Sequence, residues 1–164
     1  MSHAAPAHHF RDKRGLLTAF AARGYEEFSA QMSRVWRDSA GADPRERLRR
    51  LLRAYIAFAA EHRAFYEVMF RPEMVDSLVL ASRGATDNAF DVLRAAVAAN
   101  LPDDADRDTV RELALVAWCH GHGLVQLWFD GPLRHMPGGP SLAALEERCC
   151  DVFLAALDRA AAGA

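Results

Sequence analysis

Apolar residues recur along the chain at steps of three and four, the period of an amphipathic helix, and no stretch alternates like a half-buried strand. A first long helix is predicted from Asp12, as its cap, to about Ser39. Its stripe includes Leu16, Phe20, Tyr25, Phe28, Met32 and Val35, and Gly41 ends it. Asp43-Pro44-Arg45-Glu46 then supplies an Asp N-cap, a proline at the first helical position and a glutamate at the third. The helix it opens carries Leu48, Leu51, Leu52, Tyr55, Ile56 and Phe58, and bends or stops near Glu61-His62. A short apolar helix is predicted over 64–70, closed by Pro72. One continuous helix is predicted from 73 to about 100, with Gly84 as the place for a kink and Leu101-Pro102 as its end. Another spans 105–130, ended by Asp130-Gly131-Pro132, and Ser141 caps the last, which runs to about Arg159 before the alanine-rich tail frays. A short segment over 2–9 has Ser2 as its N-cap. The fold class is all-α.

The last two helices carry more apolar surface than one chain needs. The final helix places Leu142, Leu145, Cys149, Val152 and Ala156 at alternating steps of three and four, and Phe153 widens that seam. The helix before it has two seams. One runs through Val110, Ala114, Ala117, Gly121, Leu124 and Trp128; the other includes Leu115, Trp118, His122, Val125 and Phe129. A helix apolar on two sides must be covered on two sides. The first seam, with its small residues, together with the final helix is expected to meet a second copy in a four-helix interface about a two-fold axis. The alternative is a monomer whose other helices cover both faces.

Composition narrows the class. The chain has 164 residues, 51% of them hydrophobic and 26% charged, which suits one globular domain. The net charge of −2 gives no basic surface that would by itself announce nucleic acid. Three cysteines, two of them adjacent at Cys149 and Cys150, form no disulfide framework and point to a reducing cytoplasm. The first twenty residues lack the apolar core of a signal peptide. The most apolar window, 113–129, is short for a membrane span and contains His120, His122 and Gln126, so no membrane association is expected.

Motifs with a catalytic mechanism are missing. There is no Gly-x-Ser-x-Gly, no phosphate-binding loop and no His-Glu-x-x-His, and Gly121-His122-Gly123 lies within a helix rather than after a strand. Cys119 and His122 share a helical face, but no further ligand joins them, so no metal, cofactor or catalytic residue is expected. What remains is a group of aromatic and soft residues on the central helices: Phe58, Tyr66, Met69, Phe70 and Trp118. Most such residues are core, yet apolar cavities between helices, furnished with a few polar groups, are where small ligands bind. Tyr55, His122 and Gln126 are the polar groups available. A small apolar or aromatic effector is the expected ligand.

Three stretches together resemble the TetR family of bacterial transcriptional regulators. Ser2 to Lys13, followed by Gly15-Leu16-Leu17, is similar to that family's recognition helix and the start of its connecting helix. Asp43 to Leu48 and His62 to Phe70 resemble the ligand-domain helices, and Trp118-Cys119-His120-Gly121-His122-Gly123 resembles the signature of the subgroup named for Trp, His and Gly (WHG). The resemblance implies a homodimeric regulator, a repressor in function, that releases operator DNA when an effector enters its C-terminal domain. It implies that Ser2, His3, Ala4 and Ala5 face the DNA, with His8 and Lys13 near the backbone. Ala7 departs from the pattern, which has a phosphate-contacting tyrosine there. The implied organisation is a remnant of a helix-turn-helix head over 1–38 and a ligand-binding and dimerisation domain over 39–164. The two helices that would precede Ser2 are expected to belong to a longer reading frame, and without them the helix-turn-helix is incomplete and DNA binding weak. A headless sensor that binds ligand or a partner chain without an operator of its own is the alternative.

Overall fold

The computed structural model describes residues 13–82 and 87–162, and all regular structure among them is helical. Seven helices follow in order: α1 (Lys13–Asp38), α2 (Pro44–Glu61), α3 (Arg63–Met69), α4 (Ser77–Ser82), α5 (Asp87–Ala98), α6 (Arg107–Phe129) and α7 (Leu142–Ala162). None is long and apolar enough to cross a membrane.

Local chemistry explains most of the boundaries. Pro44 opens α2 as expected, although the Asp43 side chain makes no capping bond. At Glu61-His62 the helix stops: His62 leaves the helical region at φ −117°, ψ 41°, and α3 starts one residue later. Asp106 caps α6 by accepting from the backbone N–H groups of Asp108 and Thr109, each at 3.0 Å. α7 runs on to Ala162 rather than ending near Arg159.

The continuous helix expected from residue 73 does not form. Residues 70–76 turn, and α4 begins only at Ser77, where Asp76 Oδ1 accepts from Leu78 and Val79 N–H. Contacts distant in sequence hold this turn. The Arg14 guanidinium donates to the Val75 carbonyl at 2.9 and 3.2 Å, and Thr18 Oγ1 accepts from Asp76 N–H at 2.8 Å. Tertiary bonds to α1 thus override a local preference that would have carried the helix through. Gly84, where the kink was placed, lies outside the described residues.

α1 packs against α2, α3 and α5, and α6 lies across α5, α2 and α7. The α1–α3 approach is close: a Cβ at Gly24 would stand 2.7 Å from Met69 Sδ and 3.0 Å from Phe65 Cβ. The core formed between them includes Ala21, Phe28, Phe58, Val97, Leu154 and Leu157, all buried. Along the outside, Arg45, Arg49 and Arg53 on α2 pair with Asp158, Asp151 and Glu146 on α7 at 2.5, 2.7 and 2.9 Å. Most of these side chains are open to water, so the ladder sets the register of α7 more than it holds the helix in place.

Candidate functional site

A cavity of about 110 Å³ lies between α1, α2, α5, α6 and α7. α1 contributes Tyr25, Phe28 and Met32 to its wall, and α5 contributes Phe90 and Leu93. Trp118 and Ala117 face it from α6, and Phe153 from α7. Phe70, on the turn after α3, closes one side, its ring 5.9 Å from that of Tyr25 and 6.4 Å from that of Trp118. Each of these residues is one member of an ordinary helical stripe. The cavity arises because five stripes converge without filling the space between them.

Beside the cavity stands a polar triangle. Tyr55 and Tyr66 place their hydroxyl oxygens 2.9 and 2.8 Å from His122 Nδ1 and 3.2 Å from each other. α2, α3 and α6 each supply one corner. Burial pushes the Tyr55 phenol up to about 12, against the opposing pull of hydrogen bonding from Tyr66 and the Trp118 indole. Burial raises the Tyr66 phenol further still. The same burial lowers the His122 pKa below its ordinary 6.5, so the imidazole is neutral near pH 7.

That shift has a consequence for stability. Unfolding returns the ring to water, where it takes up a proton near pH 6.5. Below that value the unfolded chain binds more protons than the folded one. Stability therefore falls as pH drops from about 6.5 through the lower folded pKa. The Tm of the native chain is expected to decline across this window more steeply than that of His122→Gln, which keeps an acceptor but cannot titrate. Equal slopes in a pH series of melting curves would remove His122 as the source.

Of the residues expected to form a ligand pocket, Tyr55, Phe70 and Trp118 line the cavity. Tyr66 and His122 stand behind Tyr55. Phe58 and Met69 are buried in the core and do not reach the cavity wall. Gln126 is turned away, with its amide donating to Asp130 at 2.9 Å. The expectation missed Tyr25, Phe28 and Phe90, whose spacing marks a buried stripe but not an unfilled one. His120, expected with His122 as a polar group in or beside a cavity, lines it from α6.

The expected dimer seam on α6 must be corrected. Ala114, Gly121 and Leu124 are buried within the chain's own core, Ala117 lines the cavity, and Trp128 lies on the same inward face, partly covered. Gly121 seats α6 against α2: a Cβ there would meet Leu52 Cδ1 at 3.1 Å. Phe153 on α7 is likewise buried. The buried positions Ala114, Gly121, Leu124 and Phe153 cannot meet a partner while the chain is folded, because the chain's own core takes that face of the helices. The apolar residues that α6 leaves in solvent are Leu115, Val116, Trp118, Cys119 and Leu127, Trp118 also bordering the cavity, with Gly123 open beside them. On α7, Val152 is half exposed, and Leu145, Cys149 and Ala156 are partly so.

Lys13, the first described residue, is exposed at the start of α1. Ser2, His3, Ala4, Ala5 and His8 lie outside the described residues. Among the described residues, no three His, Cys, Asp or Glu side chains gather as a metal site.

Residues 48–153 match the family described as tetracyclin repressor-like, C-terminal domain. The chain belongs to this family. The match takes in most of α2 and α7 and everything between them, so it includes every helix of the cavity wall except α1. The all-helical fold agrees with a TetR-like C-terminal domain. The structure is similar to that of a protein of unknown function from Rhodococcus sp. RHA1, with a TM-score of 0.72 and 29% identity over 95% of this chain and 78% of that one. No curated protein matches the sequence.

Proposed function

We infer that this TetR-type protein is a ligand-responsive transcriptional regulator, acting as a cytoplasmic, homodimeric repressor, with the cavity as its effector site. The observation that carries this reading is the aromatic-walled space between five helices of a tetracyclin repressor-like domain. The WHG subgroup fits the same reading through Trp118, which is on the cavity wall, and His122, which is hydrogen-bonded to Tyr55.

The wall also suggests how occupancy is relayed. Tyr25, Phe28 and Met32 belong to α1, whose first residue, Lys13, is proposed to touch operator DNA together with Ser2, His3, Ala4, Ala5 and His8 of the preceding segment. Tyr25 also donates to the Met69 carbonyl at 2.8 Å, next to cavity-lining Phe70. An effector that favours one position of α1 shifts the population between DNA-bound and free forms. The protein needs no cofactor and performs no turnover in this role.

A thermal-shift screen of small apolar and aromatic compounds tests the reading. A ligand present at a hundred times its Kd stabilises the folded chain by about 2.7 kcal/mol. A hit should raise the Tm and change the fluorescence of Trp118. A broad screen without one would sink the effector role.

The homodimer is proposed to form through the outer strips of α6 and α7. Arginine at both Leu127 and Val152, each about half exposed, is expected to leave the chain folded and convert it from twice the chain mass to the chain mass in sedimentation. An unchanged mass would move the interface elsewhere.

A further inference from the structure

Among the described residues, no Asp, Glu, Lys or Arg lines the cavity. An ionised ligand would lose hydration there and find no Lys or Arg among those residues to replace it, which is unfavourable. The oxygen and nitrogen groups that remain on the wall belong to Tyr25, Tyr55, Trp118 and His120.

Their protons can be assigned from their partners. The Tyr25 hydroxyl lies 2.8 Å from the Met69 carbonyl, which only accepts, so its proton is engaged and its oxygen offers only lone pairs. His120 Nδ1 lies 2.9 Å from the Val116 carbonyl. By the same logic a single ring proton sits on Nδ1, which leaves Nε2 as an acceptor. In the triangle, the Tyr55 and Tyr66 hydroxyls and His122 Nδ1 lie within hydrogen-bonding distance of one another, so the Tyr55 hydroxyl already has partners. The two thiols, Cys149 and Cys150, are weak donors. The wall therefore offers hydrogen-bond acceptors at Tyr25 and His120.

We propose that the cavity takes an uncharged ring bearing one hydrogen-bond donor, a phenol or an aromatic N–H, whose proton goes to the Tyr25 oxygen or to His120 Nε2. This rests on the effector-binding reading and narrows its ligand class. A ketone or ether brings no proton to the Tyr25 and His120 acceptors, and a carboxylate meets no Lys or Arg among the described wall residues.

Isothermal titration of the whole chain with four probes tests the proposal: phenol, toluene, anisole and benzoate. Phenol should bind about tenfold more tightly than anisole, the equivalent of one net hydrogen bond, and benzoate should give no measurable heat of binding. Tyr25→Phe and His120→Phe remove the two acceptors in turn. At least one should weaken phenol about tenfold and leave toluene within about twofold. His120 is exposed, so its variant remains informative should Tyr25→Phe fold poorly. Anisole or benzoate binding as tightly as phenol overturns the proposal, as does a parallel loss of phenol and toluene in both variants. Toluene binding without phenol overturns the donor requirement and leaves the effector reading intact. Silence from all four probes also overturns the proposal, and the effector reading then depends on the wider screen.

Discussion

Replacing Phe58 by alanine is expected to lower the unfolding free energy by about 3–5 kcal/mol, the range for truncating a buried aromatic. The side chain is 1% exposed, and its ring packs 5.1 Å from Phe28 and 4.9 Å from His62. It fastens the last turns of α2 to α1 at the point where the chain bends into α3. Truncation removes the ring's transfer free energy and leaves a void that neighbouring helices cannot close without moving. Whole domains are stable by only about 5–15 kcal/mol, so the loss is a large share of the total. In denaturant titrations the midpoint should fall with the slope unchanged. Leu78→Ala is the matched control: Leu78 is 84% exposed, and its loss should stay within about 0.5 kcal/mol. A Phe58→Ala change under about 1 kcal/mol would mean that the core around α2 is packed otherwise.

Ala117→Leu is expected to abolish binding in the cavity, with affinity for a phenyl-sized probe falling by more than about a hundredfold through steric exclusion. Ala117 lines the cavity from the middle of α6, and the cavity is only about 110 Å³. Leucine is nearly as good a helix former as alanine, so α6 should be undisturbed. Its branched side chain would take the space a ligand needs. Filling a void commonly stabilises, so the melting temperature should hold or rise while binding disappears. This combination separates a blocked site from a damaged fold. Undiminished binding by a well-folded variant would place the ligand elsewhere.

The two substitutions separate residues that look alike in sequence. Phe58 and Tyr55 are three positions apart on one stripe of α2. Phe58 is sealed in the core, while Tyr55 borders the cavity and reaches Tyr66 and His122. A helical repeat of 3.6 residues assigns both to the inward face, but it cannot say what lies opposite each of them. The same limit explains α6. Its apolar residues run nearly all the way round, and the small residues Ala114, Ala117 and Gly121 suggested a close approach to a second chain. The close approach exists, at Gly121, but to Leu52 of the chain's own α2. The turn at 70–76 escaped detection for a related reason: its bonds come from Arg14 and Thr18, about sixty residues away.

Read without a structure, the sequence determined the helical class, the stop at His62, the proline start of α2 and the family resemblance. Each of these depends on backbone geometry, capping chemistry or short motifs, which act over a few residues. Tertiary structure alone decided which face of α6 is covered, where α4 begins, which aromatic rings border empty space, and that two phenols share one imidazole nitrogen. A cavity is a mismatch of volume among five helices, and a hydrogen-bonded triangle needs three helices placed to within a fraction of an ångström. Both depend on contacts between positions far apart in the chain, whose free energies no local pattern records.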